Sequence, residues 1–241
     1  MAKGGDVGSA SDVYLTRDPA TGTGWPAFAP RAGDRTGRVY VADVYTGPHA
    51  ILRGERSDEL VVRHGATFSH PGVNDFSYGN PDDVVLFGDW DGDFYDTPMV
   101  RRGSWFYLTN AYGGVAQSVF SYGDPGDVVL VGDWDGDGVD TLAVRRGSTF
   151  YLRESNTTGV ADRVVSYGEP SDIVVVGRWT ETGGDTFAVR RGNVFYLQPS
   201  LGAGFAEVVF AYGDATDSPY VQTVRTMQGR GADSVGVRRP G

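Results

Sequence analysis

The chain has no cysteine, one lysine, three histidines and no long apolar run, and each shortage removes a class of protein. Without cysteine there is no disulfide framework and no thiolate metal site. Lys3 is the single lysine, so basic charge rests on arginine, and the formal net charge is −10. No stretch gathers those arginines into a basic stripe, so nucleic acid is not an expected partner. No segment nears the ~18 apolar residues of a membrane span, so membrane insertion is not expected either. His49, His64 and His70 lack metal spacing, and the sequence holds no nucleophile elbow, phosphate loop or cysteine nucleophile. A glycosidase needs a carboxylate pair, but the acids that recur here are accounted for by turns. An enzyme is not expected.

What abounds is glycine, 36 of 241 residues, about twice the usual ~7%. With 12 prolines and 12% aromatic residues, this composition suits short strands and many turns. The decisive feature is an internal repeat. One unit runs Ser121-Tyr-Gly-Asp-Pro-Gly-Asp127, Val128-Val-Leu-Val-Gly-Asp-Trp134, Asp135-Gly-Asp-Gly-Val-Asp-Thr141, Leu142-Ala-Val-Arg-Arg-Gly147 and Ser148-Thr-Phe-Tyr-Leu152, closed by a polar loop to Val165. The same unit restarts at Ser77, Ser166 and Ala211, at spacings of 44 to 45 residues. A weaker copy lies upstream, where Asp58-Glu-Leu-Val-Val-Arg-His-Gly65 matches Asp140-Thr-Leu-Ala-Val-Arg-Arg-Gly147.

Each unit offers four short strands, placed in the third at 127–133, 141–146, 149–154 and 161–166. Four strands per ~45 residues point to propeller blades, whose faces are buried only when blades stack. The fold expected is all-β: a single five-bladed β-propeller of four-stranded blades. The blades fall at 31–76, 77–120, 121–165 and 166–210, and the fifth combines 211–241 with 12–30. In that fifth blade the N-terminal outer strands join the C-terminal inner ones, since Asp12-Val-Tyr-Leu15 matches the Phe150-Tyr-Leu152 strand absent after Arg238. An open β-solenoid is the alternative. Residues 1–11 read as a flexible tail, with no signal peptide in them.

The string Gly132-Asp-Trp-Asp-Gly-Asp-Gly138 resembles the FG-GAP/VCBS repeats of integrin-like β-propellers, in their short bacterial form. The resemblance implies the propeller fold, Ca²⁺ at the Asp-rich loop, and service as adhesion modules, lectins or accessory domains of secreted enzymes. The five-unit plan is also similar to that of the tachylectin family, which binds amino sugars between blades.

Calcium takes six to eight oxygens, and alternate aspartates on a tight loop supply several. In the third unit Asp133, Asp135 and Asp137 hold loop positions 1, 3 and 5, Gly138 permits the turn, and Val139 could lend its carbonyl. The second unit keeps Asp89, Asp91 and Asp93 but has Phe94 at the glycine position. The fourth reads Arg178-Trp-Thr-Glu-Thr and is expected to hold no ion. An acid at position 8 persists in all five units as Asp58, Asp96, Asp140, Asp185 and Asp233, even where the others are gone. That pattern reads as structural, a side-chain cap on the turn.

Trp90, Trp134 and Trp179 share one position and are read as packing between blades rather than as sugar platforms. Of Arg101-Arg102, Arg145-Arg146 and Arg190-Arg191, one arginine should face a neighbouring blade and the other solvent, because successive strand residues alternate faces. Candidate ligand-binding residues are Trp25 and Trp105, which do not repeat, and Tyr122 and Tyr167 between blades. The expectation is a secreted, non-enzymatic recognition module, a monomer in isolation, whose partner is a cell-surface glycan. The rival reading is a protein-binding or structural accessory propeller. A lectin would expose aromatics in equivalent grooves; a scaffold would bury them and show one asymmetric patch.

Overall fold

The computed structural model describes residues 38–43, 58–70, 73–93, 95–180, 182–202, 204–222, 225–226, 229–230 and 232–238. All regular structure among them is β. The first sheet orders β1 (Arg38–Asp43), β2 (Asp58–His64), β3 (Thr67–His70) and β4 (Val73–Ser77). The second holds β5 (Val84–Gly88), β6 (Thr97–Arg102), β7 (Trp105–Leu108) and β8 (Ser118–Ser121). The third holds β9 (Val128–Gly132), β10 (Thr141–Arg146), β11 (Thr149–Leu152) and β12 (Arg163–Ser166). The fourth holds β13 (Ile173–Gly177), β14 (Thr186–Arg191), β15 (Val194–Leu197) and β16 (Val208–Ala211). Each is an antiparallel meander, so the four-stranded unit expected from the repeat is present four times.

A fifth sheet pairs β17 (Ser218–Gln222) with β20 (Ser234–Arg238), and β18 (Arg225–Thr226) and β19 (Gly229–Arg230) form a small hairpin between them. The expected outer strands from residues 12–30 lie outside the described residues. The first strands of consecutive sheets lie side by side, β1 by β5, β5 by β9, β9 by β13 and β13 by β17. The described residues therefore give a succession of sheets and not a demonstrated closed ring of five.

The core is divided into layers, one between each pair of sheets. Phe68 of the first sheet meets Phe87 of the second edge-to-face at 5.8 Å. Leu142 and Val144 of β10 pack towards Leu86, Met99 and Phe106 of the second sheet. Ala143, between them, faces the opposite way, towards Val176, Phe187 and Val189 of the fourth. This alternation explains why β10 is buried at its first five residues and reads as a run rather than as apolar–polar alternation. Phe150 stacks on Phe187 across the same boundary, ring centroids 4.1 Å apart.

The Gly-Asp-Trp string has a steric cause. A Cβ on Gly88, Gly132 or Gly177 would fall 2.7, 3.0 or 2.8 Å from the ring of Trp90, Trp134 or Trp179. Each indole thus folds back over the glycine two residues before it. Trp90 and Trp134 are buried, and Trp134 reaches Phe187 of the next sheet at 5.2 Å, as a packing residue would.

The arginine pairs divide their labour. The first arginine is buried and reaches the turn ahead of the next sheet. Arg101 donates to Asp127 O at 2.8 Å and Asp124 O at 2.7 Å, Arg145 to Asp172 O at 2.8 Å and Glu169 O at 2.6 Å, and Arg190 to Asp217 O and Asp214 O. The second arginine is exposed and grips an aspartate of its own unit through Nε and Nη2. Arg102 pairs with Asp83, Arg146 with Asp127 and Arg191 with Asp172, all at 2.6–2.8 Å. Those same aspartates accept the backbone N–H three residues earlier, from Asn80, Asp124 and Glu169.

Two outcomes follow for solution experiments. Arg145→Lys removes a fork that lysine cannot reproduce, and should destabilise by about 2 kcal/mol in urea titrations, the scale of one or two charged hydrogen bonds. Arg146, exposed beside Asp127, is the largest influence holding that carboxyl below its ordinary value of 3.8. A carboxyl depressed in the fold contributes stability above its unfolded pKa and loses it as pH falls through the folded value. Arg146→Gln should therefore move the acid unfolding midpoint to higher pH.

Candidate functional site

The Asp loops connect the first and second strands of the second and third sheets. Asp89, Asp91 and Asp93 bring carboxylate oxygens within 4.8 Å of one another, and Asp133, Asp135 and Asp137 do the same. In each trio the first acid is buried and the other two are exposed. The backbone shapes the loop around the buried acid: Asp133 Oδ1 accepts from Gly136 N–H at 2.7 Å and Oδ2 from Gly138 N–H at 3.1 Å. Asp89 Oδ1 accepts from Gly92 N–H at 2.8 Å. Gly136, with φ of 82°, and Gly138, with φ of 94°, supply the left-handed turns that close the third-unit loop. Phe94 lies outside the described residues.

Burial, then the neighbouring Asp185, push Asp133 up to about 6, against the two backbone donors that lower it. Burial and Asp93 likewise raise Asp91. Either trio could hold a metal ion. Val139 donates its N–H to Asp137 Oδ1 at 2.8 Å, and its side chain lies against Gly92 of the second-unit loop.

The position-8 acid is a cap, as its persistence suggested, but the turn it caps is not its own. Asp140 Oδ2 accepts from Asp89 N–H at 2.8 Å, while Asp140 N–H donates to Asp89 O at 2.6 Å. Asp185 clasps Asp133 in the same way, at 3.0 and 2.5 Å, and Asp233 clasps Arg178, at 2.9 and 2.6 Å. Each links one sheet's loop to the sheet before it. The clasp grips backbone at position 1, so it survives the change from Asp133 to Arg178. That is why the position-8 acid outlasts its neighbours.

The candidate ligand residues do not converge. Tyr122 and Tyr167 are buried in the connections between sheets, and Tyr167 donates its hydroxyl to Tyr196 O at 3.0 Å. Burial pushes both phenols up to about 12. Neither ring presents a face to solvent; they recur because they wedge sheet against sheet. Trp105 is half exposed but sits at the start of β7, the strand end opposite the Asp loops. Trp25 lies outside the described residues.

Sequence reasoning missed a groove. It has a volume of about 270 Å³ between the third and fourth sheets, and Trp134, Asp135, Arg163, Gly184, Ser200 and Leu201 are among its lining residues. One period earlier, Val139 stands where Gly184 stands, and Asn156, in the place of Leu201, donates to Asp140 O at 2.9 Å. Gly184 lets the backbones of the two sheets meet, since a Cβ on it would fall 2.5 Å from Asp133 O, and Leu201 packs against the third core layer beside the groove. Asp135 belongs both to the groove and to the third-unit trio.

No family model matches the chain, and no curated protein or solved structure matches it.

The third-unit clasp can be tested directly. Asp185→Asn keeps the shape but removes the charge that receives Asp133 N–H. It should lower stability by about 1–2 kcal/mol in urea titration, whereas Asp135→Asn, exposed and outside the clasp, should change it by less than about 0.5 kcal/mol in EDTA.

Proposed function

We propose that this chain is a secreted, non-enzymatic recognition module on a closed five-bladed propeller of the FG-GAP/VCBS kind, with Ca²⁺-stabilised loops, and that it binds a carbohydrate in the groove between the third and fourth sheets. The groove carries the proposal. It sets the Asp135 carboxylate, the Arg163 guanidinium and the Ser200 hydroxyl beside the side chain of Leu201, polar groups that suit a sugar's hydroxyl edge next to one apolar contact. The reading is single-site, because the repeated aromatics that equivalent grooves would need are buried. Ca²⁺ would be held by Asp133, Asp135, Asp137 and the Val139 carbonyl in the third unit, and by Asp89, Asp91 and Asp93 in the second. Its charge would offset the burial, and after it the repulsion from Asp185, that raise Asp133. Asp135 would place that ion at the groove's edge.

One observation favours the second reading, a protein-binding accessory propeller. β16 is Val-Val-Phe-Ala, whereas the outer strands of the first three sheets carry Asn74 and Asp75, Ser118 and Ser121, or Arg163 and Ser166. Phe205, just before β16, is 95% exposed and joins Val208 and Val209, whereas the equivalent position carries the smaller Val115 and Val160, also exposed, in the second and third units.

Thermal melts in EDTA and then in CaCl₂ test the ion. The midpoint should rise with Ca²⁺, by linkage equivalent to about 2.7 kcal/mol at a hundredfold excess over Kd, and Asp133→Ala/Asp135→Ala should abolish the rise. A glycan array in CaCl₂ tests the ligand. Binding should be lost in Leu201→Trp, which fills the groove, and retained in Trp105→Ala. An array with no hits, together with capture of a defined protein partner that Phe205→Ser abolishes, would favour the second reading.

A further inference from the structure

Three loops each hold one apolar side chain out in solvent. They join the third and fourth strands of the second, third and fourth sheets, and their tips read Gly114-Val115-Ala116, Gly159-Val160-Ala161 and Gly204-Phe205-Ala206. Val115 and Val160 are 83% exposed and Phe205 is 95% exposed, while no other large apolar side chain among the described residues exceeds 58%. Exposed apolar residues scattered singly are ordinary, but here the three most exposed fall on one position of the repeat, 45 residues apart.

The fold fixes where the tips stand. The base of each loop is closed by the same bond, from Gln117, Asp162 and Glu207 N–H to Leu108, Leu152 and Leu197 O, at 2.8, 2.8 and 3.0 Å. Each donor lies two residues beyond its tip. The alanine after each tip is half-buried, and Ala206 packs against the third core layer. All three loops lie at the clasp end of their sheets. Thr97 and Thr186, next to the position-8 acids Asp96 and Asp185, donate their hydroxyls to Thr109 O and Gln198 O at 2.8 and 2.7 Å, and Asn156 donates to Asp140 O at 2.9 Å. The clasps tie those ends from sheet to sheet, Asp140 to Asp89 and Asp185 to Asp133, so the tips form a row along one rim.

A row of separate points narrows the choice of partner. Exposed Asn110, Gln117, Thr157, Thr158 and Glu207 stand between the tips, so the rim has no continuous apolar patch of the kind that centres a protein interface. A protein would have to bring three pockets at matching spacing. A lipid surface needs none, because each side chain enters the headgroup–acyl boundary by itself. The same rim carries both aspartate trios, and the chain's net charge is −10, so an anionic bilayer repels it. We propose that this rim docks on a neutral, zwitterionic lipid bilayer, lying on it rather than spanning it, with Val115, Val160 and Phe205 as the inserted side chains, a role that does not rest on the groove or on bound calcium. Three short side chains bind more weakly than a single myristoyl chain, whose association constant is about 10⁴ M⁻¹, so the docking is reversible.

Sedimentation of the full chain with phosphatidylcholine vesicles in EDTA tests this. Half the protein should be bound below about 5 mM lipid. Phe205→Ser should weaken binding about tenfold, and Val115→Ser or Val160→Ser about threefold each, with melting midpoints unchanged. Trp105→Ser removes a half-exposed ring from the opposite end of its sheet and should leave binding as it was. The lack of cysteine lets a single label report insertion. Val160→Cys carrying an environment-sensitive dye should shift its emission to the blue on vesicles, and Trp105→Cys with the same dye should not. Folded wild-type protein that stays in the supernatant at that lipid concentration would overturn the proposal, as would binding that Trp105→Ser weakens as much as Phe205→Ser does. Capture of a defined protein partner that Phe205→Ser abolishes, with no vesicle binding, would overturn it too and make the rim a protein interface.

Discussion

A buried guanidinium with nowhere to go but the next sheet is the constraint on which the rest depends. Arg101, Arg145 and Arg190 lose water on folding, and burial lowers the proton affinity of the first two. Their Nη1 and Nη2 groups donate to backbone carbonyls of the following turn, while the buried Nε of Arg145 and of Arg190 has no hydrogen-bond partner. Losing the turn's carbonyls as well would be costly in an apolar setting. One unit therefore cannot complete itself. The turn that receives the arginine must be held in shape, which explains the aspartate at its end, accepting a backbone N–H on one side and the exposed arginine of its own strand on the other.

The position-8 clasp works on the opposite end of the sheets by the same logic. It too crosses a boundary, and it too uses backbone on one side. The three junctions from the second sheet to the fifth are thereby fixed at both ends, with the apolar layer between. The side chains that vary among units, the acids at positions 1, 3 and 5 above all, are the ones neither device uses. Asp133 stands at the meeting point. Its backbone belongs to the scaffold through Asp185, and its carboxylate belongs to the trio.

Much of this was legible in the sequence, and the limits have a physical cause. The repeat phase located sixteen strands in four sheets, because periodic turns and β-rich runs are local signals. The division of the arginine pairs followed from strand alternation, and the tryptophans' packing role from their survival in the unit that lost its acids. A repeat, however, hides which neighbour a residue touches: a contact within one unit and a contact to the next have the same sequence signature. That is why the position-8 aspartate was recognised as a cap yet placed on the wrong turn. Tyr122 and Tyr167 misled for a related reason, since a recurring phenol is equally compatible with a wedge and with a ligand contact. The groove gave no positive signal at all, because nothing local in the sequence shows which residues of two successive units line one space.

The layered core has a mechanical consequence. In a protein with one central core, pulling on the chain ends loads a single cooperative unit. Here each apolar layer, with its guanidinium and its aspartate clasp, is a separate joint in series. Tension applied along the line of sheets would be carried equally by every joint and released at the weakest. Among the described residues the junction of the fourth and fifth sheets, where Phe210 is only partly buried and Tyr212 is half exposed, is the joint with the least material across it.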